Sequence, residues 1–198
     1  MTSASSEPSD ALLPVPSTVS KIRSDMAAAT ALEVLARTVR ESGLVPERTR
    51  GVVLVSGGAD SAAVAAGLVE TLGRDAVIAL HLDYGLRPDS HEDEATCGKL
   101  CAKLGVELRV ERPELGGGNV QAGARDARYA AAERLRRAER LDWIATGHTR
   151  TDLAETVLYR LPTSPGRRAL LGLPPKRGAV VRPLLELDRE EVRRLVAE

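Results

Sequence analysis

Apolar residues along the 198-residue chain fall into two rhythms, short continuous runs and longer stretches at helical spacing. Val52–Val55 is a run of branched and leucine side chains, the pattern of a strand buried on both faces. Ser56, Gly57 and Gly58 break it, and ADSAAVAAGLVETL from Ala59 has the alanine and leucine content of a helix. Asp75–Asp83 (DAVIALHLD) is a second apolar run with a polar carboxyl end. Val106–Val110 alternates like a strand, Asp142–Thr146 (DWIAT) is a further one, and Val180–Val181 a short one. Helical spacing covers Asp25–Glu41, with Ser24 as cap and Gly43 as stop. A helix opened by Asp89, Glu92, Asp93 and Glu94 runs to Leu104, ended by Gly105. Asn119 caps Val120–Arg140, Thr149 or Thr151 starts a helix through Leu161, and Asp188 caps Arg189–Glu198. Alternating strands and helices predict an α/β fold, an open, mostly parallel sheet with helices on both faces.

Outside these elements the pattern weakens. Met1–Ser24 is rich in Ser, Pro, Thr and Ala and reads as a disordered leader, leaving one domain over 25–198. Pro165–Gly178 reads as loop. The last helix runs to Glu198 without a stop signal, so a fragment of a longer protein is expected.

Composition narrows the class. Formal net charge is zero, so a nucleic-acid partner would need a local basic patch. With no Phe, one Trp and three Tyr, the core must be built from Val, Leu and Ala, and stacking platforms are scarce. The two cysteines, Cys97 and Cys101, lie one helical turn apart, which suits reduced, half-buried helix residues rather than a disulfide framework or a C-x-x-C motif. No apolar run reaches membrane-spanning length and no signal peptide is visible, which points to a cytoplasmic protein. Oligomeric state is left open, a homodimer included.

Chemistry concentrates in Ser56–Ser61. A strand, a glycine turn and a helix start in succession make an anion site, because the first helical N–H groups have no partner within the helix. Ser56 and Ser61 add hydroxyls, Ala59 opens the helix, and Asp60 could hold Mg²⁺ between phosphates. No GK[ST] follows, so this is not the Walker loop. The plainer alternative is a tight turn with Asp60 as a first-turn acid.

SGGADS resembles the SGGxDS signature of the PP-loop ATP pyrophosphatases, whose Rossmann-like domains cleave ATP between its α- and β-phosphates to adenylate a substrate. Four further blocks narrow the resemblance. HLDYGLRP (His81–Pro88), NVQAGARDARYAA (Asn119–Ala131), GHTRTDLAETVLYRL (Gly147–Leu161) and RPLLELDREEVR (Arg182–Arg193) resemble, in order, elements of the tRNA(Ile)-lysidine synthetases. The resemblance spans about residues 50–198. Tyr84 and Thr149 stand where that family commonly has histidine, and Thr151 where it has aspartate. C-terminal tRNA-gripping domains usual in the family are absent from this sequence.

The resemblance implies ATP and Mg²⁺, a tRNA(Ile) with a CAU anticodon, and free L-lysine. Ser56, Gly57, Gly58, Ala59, Asp60, Ser61 and His81 would hold the nucleotide, with Asp60 on the metal. Arg125 and Arg128 would stabilise the adenylation transition state, and His148 and Asp152 would orient lysine and the activated base. Each has a plainer alternative. His81 could fix a strand end, Arg125 and Arg128 could pair with Asp126 or Glu133, and Asp152 and Glu155 could be first-turn acids. The six basic residues between Thr156 and Leu185 could be a solvated loop or a contact for tRNA phosphates. Alternatives to lysidine synthesis are another PP-loop tRNA-modifying or amidating adenylase, or a nucleotide-binding paralogue without turnover.

Overall fold

The structure is a computed structural model that describes residues 30–86, 90–113, 120–162 and 172–197. The leader, the Ser24 and Asn119 caps, Asp25–Ala29 and Arg167–Arg168 lie outside the described residues. Six strands form one sheet: β1 (Gly51–Val55), β2 (Val77–Leu82), β3 (Glu107–Glu111), β4 (Trp143–Ala145), β5 (Lys176–Arg177) and β6 (Val180–Val181), in the order β3-β2-β1-β4-β6-β5. All pairs are parallel except β5 with β6. The stretch expected as loop up to Gly178 therefore contributes a short strand, β5, and Gly178 turns it back on β6.

Period-two alternation sends the residues of β1, β2 and β4 to two separate cores. Val53, Val55, Val77 and Ala79 pack on one face with Leu35 and Val39 of α1 (Ala31–Glu41), Val64 and Leu68 of α2 (Ala59–Leu72), Cys97 and Cys101 of α3 (Ser90–Leu104), and Val192 of α6 (Arg189–Ala197). Val52, Leu54, Ile78 and Leu80 pack on the other with Ala131 and Ala132 of α4 (Val120–Ala138). All five residues of β1 and all six of β2 are buried, as two covered faces require. Each buried Val, Leu or Ile among them contributes roughly 1.5–3 kcal/mol relative to exposure. The cysteines are more deeply buried than expected, 0% and 2% exposed.

Sequence order sets the working edge. From β1 the chain steps outward through β2 to β3, then crosses by α4 to β4 on the other side of β1. The strand order thus reverses between β1 and β4. Ligands of open α/β sheets bind outside the carboxyl ends of the strands at such a reversal. Both SGGADS and Gly147-His148 emerge there.

Candidate functional site

The turn after β1 is built by its own serine. Ser61 Oγ accepts from the Ser56 amide at 3.1 Å and donates to Gly58 O at 2.8 Å, closing Ser56–Ser61 into a compact loop. Gly57 has φ +78°, a left-handed conformation, and a Cβ there would sit 3.1 Å from Asp93 Oδ1. Gly58 caps α2 with no side-chain hydrogen bond, and the first helical bond is Ala62 N–H to Gly58 O. Among the described residues no side chain caps the head of α2, as an anion seat needs. Ser61, expected to donate to phosphate, instead spends its proton on the loop.

Ser56, Asp60, Ser61, His81, Arg128, His148 and Asp152 line one cavity of about 390 Å³ at the ends of β1, β2 and β4. Gly57, Gly58 and Ala59 do not line it. They border a different cavity beside Lys99 and Lys103. Arg125 lies in an adjoining cavity of about 460 Å³, which shares His81, Tyr84, Asp93, Arg128 and His148 with the first.

Asp60 Oδ1 is buried and has no partner among the described residues. Its carboxyl is pushed above the usual range by burial and by the neighbouring Asp152 carboxylate, against the pull of Arg189. Arg189 stands 3.7 Å from Asp60 Oδ2 and donates to Asp152 Oδ1 at 2.8 Å and Glu155 Oε1 at 2.9 Å. One guanidinium thus ties the loop after β1 to α5 (Arg150–Arg160). It was not among the expected site residues, although it is the second arginine of the RPLLELDR block.

Asp152 is more occupied than expected. Its Oδ2 accepts from the Thr149 amide at 2.7 Å and the Thr149 hydroxyl at 2.8 Å, a capping box for α5. Burial pushes its carboxyl up, but the Thr149 bonds and Arg189 outweigh that and hold it below the usual range. Both aberrant threonines have structural work. Thr149 is fully buried in that cap, and Thr151 Oγ1 accepts the Arg189 amide at 3.1 Å. Asp188 and Glu191 cap α6 reciprocally at 2.8 Å.

His148 Nδ1 lies 2.7 Å from Thr146 Oγ1. Burial, then the Arg182 charge, lowers its pKa to about 4, so it is neutral near pH 7. His81 is buried, with Nδ1 3.0 Å from Val55 O and 3.5 Å from Cys97 Sγ. Donation to Val55 O leaves Nε2 buried and without a partner among the described residues. It therefore fixes the strand end, and the residue borders both cavities. Tyr84 donates to Ala124 O at 2.9 Å and accepts from Arg128 Nε at 3.3 Å, holding that guanidinium over the cavity. Glu133 pairs with Arg136 and Arg137, leaving Arg125 and Arg128 without an ion pair among the described residues. Arg125 is exposed on its helix, as the solvated-charge alternative has it, while Arg128 is part-buried.

Comparison with known proteins follows the same lines. The chain is 45% identical over 148 residues to a tRNA(Ile)-lysidine synthase of Thermus thermophilus, covering 72% of this chain and 28% of that protein. It is 40% identical over 151 residues to one from Solibacter usitatus, covering 75% and 34%. The chain thus spans about a third or less of the length of these curated relatives. Among solved structures, the U34-tRNA thiolase NcsA of Methanococcus maripaludis superposes with TM-score 0.70 at 21% identity, over 84% of this chain and 63% of that one. An NH3-dependent NAD synthetase from Campylobacter jejuni gives 0.57 at 21% identity, over 84% and 71%. Both are likenesses of fold. Residues 30–198 match the PP-loop domain, nearly the whole described chain, and the protein belongs to that family of ATP-binding domains.

Proposed function

We propose that this chain carries the catalytic site of a tRNA(Ile)-lysidine synthetase. The reaction adenylates the wobble cytidine of the CAU anticodon with ATP and then joins lysine to it. The observation that carries this reading is the 40–45% identity to curated lysidine synthases over more than two thirds of the chain. The site's chemistry fits the reaction.

In the first step the cytidine C2 oxygen attacks the ATP α-phosphorus and the bond to the β,γ-pyrophosphate breaks. The uncapped amides at the head of α2, with Ser56, would take the pyrophosphate charge as it develops. Arg128, aimed by Tyr84, and Arg125 would offset charge on the transferring group. Asp60, with its orphaned buried oxygen, fits a divalent cation held jointly with phosphates. Bound there, Mg²⁺ would neutralise phosphate charge. The second cavity, reached past Arg128, would admit the cytidine.

In the second step the lysine ε-amine attacks C2 and AMP leaves with the C2 oxygen. The amine must first lose a proton, and His148, held neutral, would hydrogen-bond the amine without setting a like charge beside it. Asp152 and Glu155, gathered by Arg189, would orient the ammonium before that loss.

Incubating the chain with ATP, Mg²⁺, labelled lysine and a CAU-anticodon tRNA(Ile) transcript tests the reading. Label should enter the tRNA with one AMP and one pyrophosphate released per lysine. AMP formation that ignores tRNA and lysine would overturn it.

A further inference from the structure

Arg182 is only 3% exposed and forms no ion pair among the described residues. Its Nη1 donates to Pro174 O at 2.7 Å, while its Nε is buried without a partner among the described residues. A guanidinium withdrawn from water without a counter-ion is strongly destabilising. Its charge makes the wall it forms electropositive and favourable to an anion nearby.

Arg182 lines a cavity of about 510 Å³ between α4 and the β5–β6 hairpin, together with Arg125, Arg136, Arg137 and Arg177. Only two carboxylates, Asp126 and Glu133, share its walls. Glu133 is taken by Arg136 at 2.7 Å and Arg137 at 2.7 Å, which leaves the groove cationic on a chain of zero formal net charge. From Arg125 to Arg137 the helix covers about 18 Å at 1.5 Å per residue, too long for one phosphate and suited to a backbone segment. Planar guanidinium forks match phosphate oxygens. Arg125 and Tyr129 line both this groove and the cavity beside Arg128, and the Arg125 guanidinium stands 5.9 Å from the centre of the Tyr129 ring.

We propose that this groove seats consecutive phosphodiesters of an RNA strand that enters the active site past Arg125 and Tyr129. The choice of RNA rests on the lysidine synthetase reading. The phosphate chemistry is that of the groove itself. Arg182 is the buried terminus of the seat, and Arg137 and Arg177 are its rim.

Arg137→Gln and Arg177→Gln, singly and together, test this in the full chain. The probes are a CAU anticodon stem-loop RNA and a stem-loop of the same length with a scrambled loop, titrated across a series of salt concentrations. For each substitution the slope of log K against log salt should become shallower by about 0.7–0.9, equally for both RNAs, because a phosphate contact reads no sequence. The stabilisation by ATP should be unchanged, since neither side chain reaches that cavity. An unchanged slope in both single variants would overturn the proposal, as would absence of RNA binding by the parent chain at the lowest salt. Weakened pyrophosphate binding with an unmoved RNA slope would also overturn it, in favour of a small-anion site. A shallower slope without lysidine formation keeps the groove and removes the lysidine reading. Lysidine formation with an unmoved slope does the reverse.

Discussion

A Cβ placed on Gly147 would stand 2.5 Å from the carbonyl oxygen of Asp60 and 2.9 Å from the Ser61 amide. The loop after β4 is thus pressed against the head of α2, and backbone, not a flexible side chain, forms the contact. Gly147→Ala must push the two loops apart. Strain from overpacking of this kind is on the order of 1–3 kcal/mol, and the displaced amides are the anion seat. We expect a lower unfolding midpoint in urea and loss of most stabilisation by ATP. An alanine variant with parent stability and an intact ATP shift would mean that the loops are not rigidly joined.

Asp60 presents one oxygen toward Arg189, and its other, buried oxygen has no partner among the described residues. A ligand at a hundredfold excess over its Kd stabilises the native state by about 2.7 kcal/mol. ATP should do so more strongly with Mg²⁺ than without. In Asp60→Asn the extra Mg²⁺-dependent shift should vanish while the part due to phosphate on α2 persists. Equal loss of both parts would assign Asp60 to the shape of the loop rather than to a cation.

How far the sequence foretold this arrangement can be judged residue by residue. β1, its glycine loop and the reversal that exposes them follow from apolar runs and turn residues, which are local signals. β5 was missed because two exposed residues, Lys176 and Arg177, carry no apolar pattern, and their pairing with β6 is tertiary. The sequence offers Asp152 as a functional acid or a plain first-turn acid, yet it serves a cap and an arginine at once, a sharing that depends on Arg189 at the head of α6 reaching α5. Arg189 was visible in the RPLLELDR block, but its reach to Asp60 is a long-range fact. Tyr84 read only as a departure, and its hydroxyl proves to hold Arg128.

His148 gives the protein a pH signature. Its folded pKa, about 4, lies below the unfolded value near 6.5, so the unfolded chain binds the proton more readily. Its contribution is therefore complete above about pH 6.5 and is lost as pH falls through about 4. The two values bound the loss at about 3 kcal/mol, less where solvent screens the half-buried ring. Urea unfolding of His148→Asn across that window should show a shallower fall than the parent. Parallel curves would mean that the imidazole titrates normally.

Arg128 separates transition-state chemistry from surface charge. Its Nε donates to Tyr84 at 3.3 Å, and it lines both cavities of the site. Lysine in its place keeps the charge and nearly the helix propensity, so stability should change little. A point charge cannot reproduce the planar fork or its hold on Tyr84. If the fork meets charge that develops only during adenylation, kcat should fall by about 10²-fold while ATP binding changes much less. Arg134→Lys is the matched control on the same helix. Arg134 pairs with Glu111 at 2.6 Å on the surface, and such exposed pairs contribute about 0–1 kcal/mol, so that change should be nearly silent in rate. Single-turnover AMP formation and ATP-linked unfolding shifts measure the two quantities separately. Equal, small effects at Arg128 and Arg134 would return both to ordinary surface arginines.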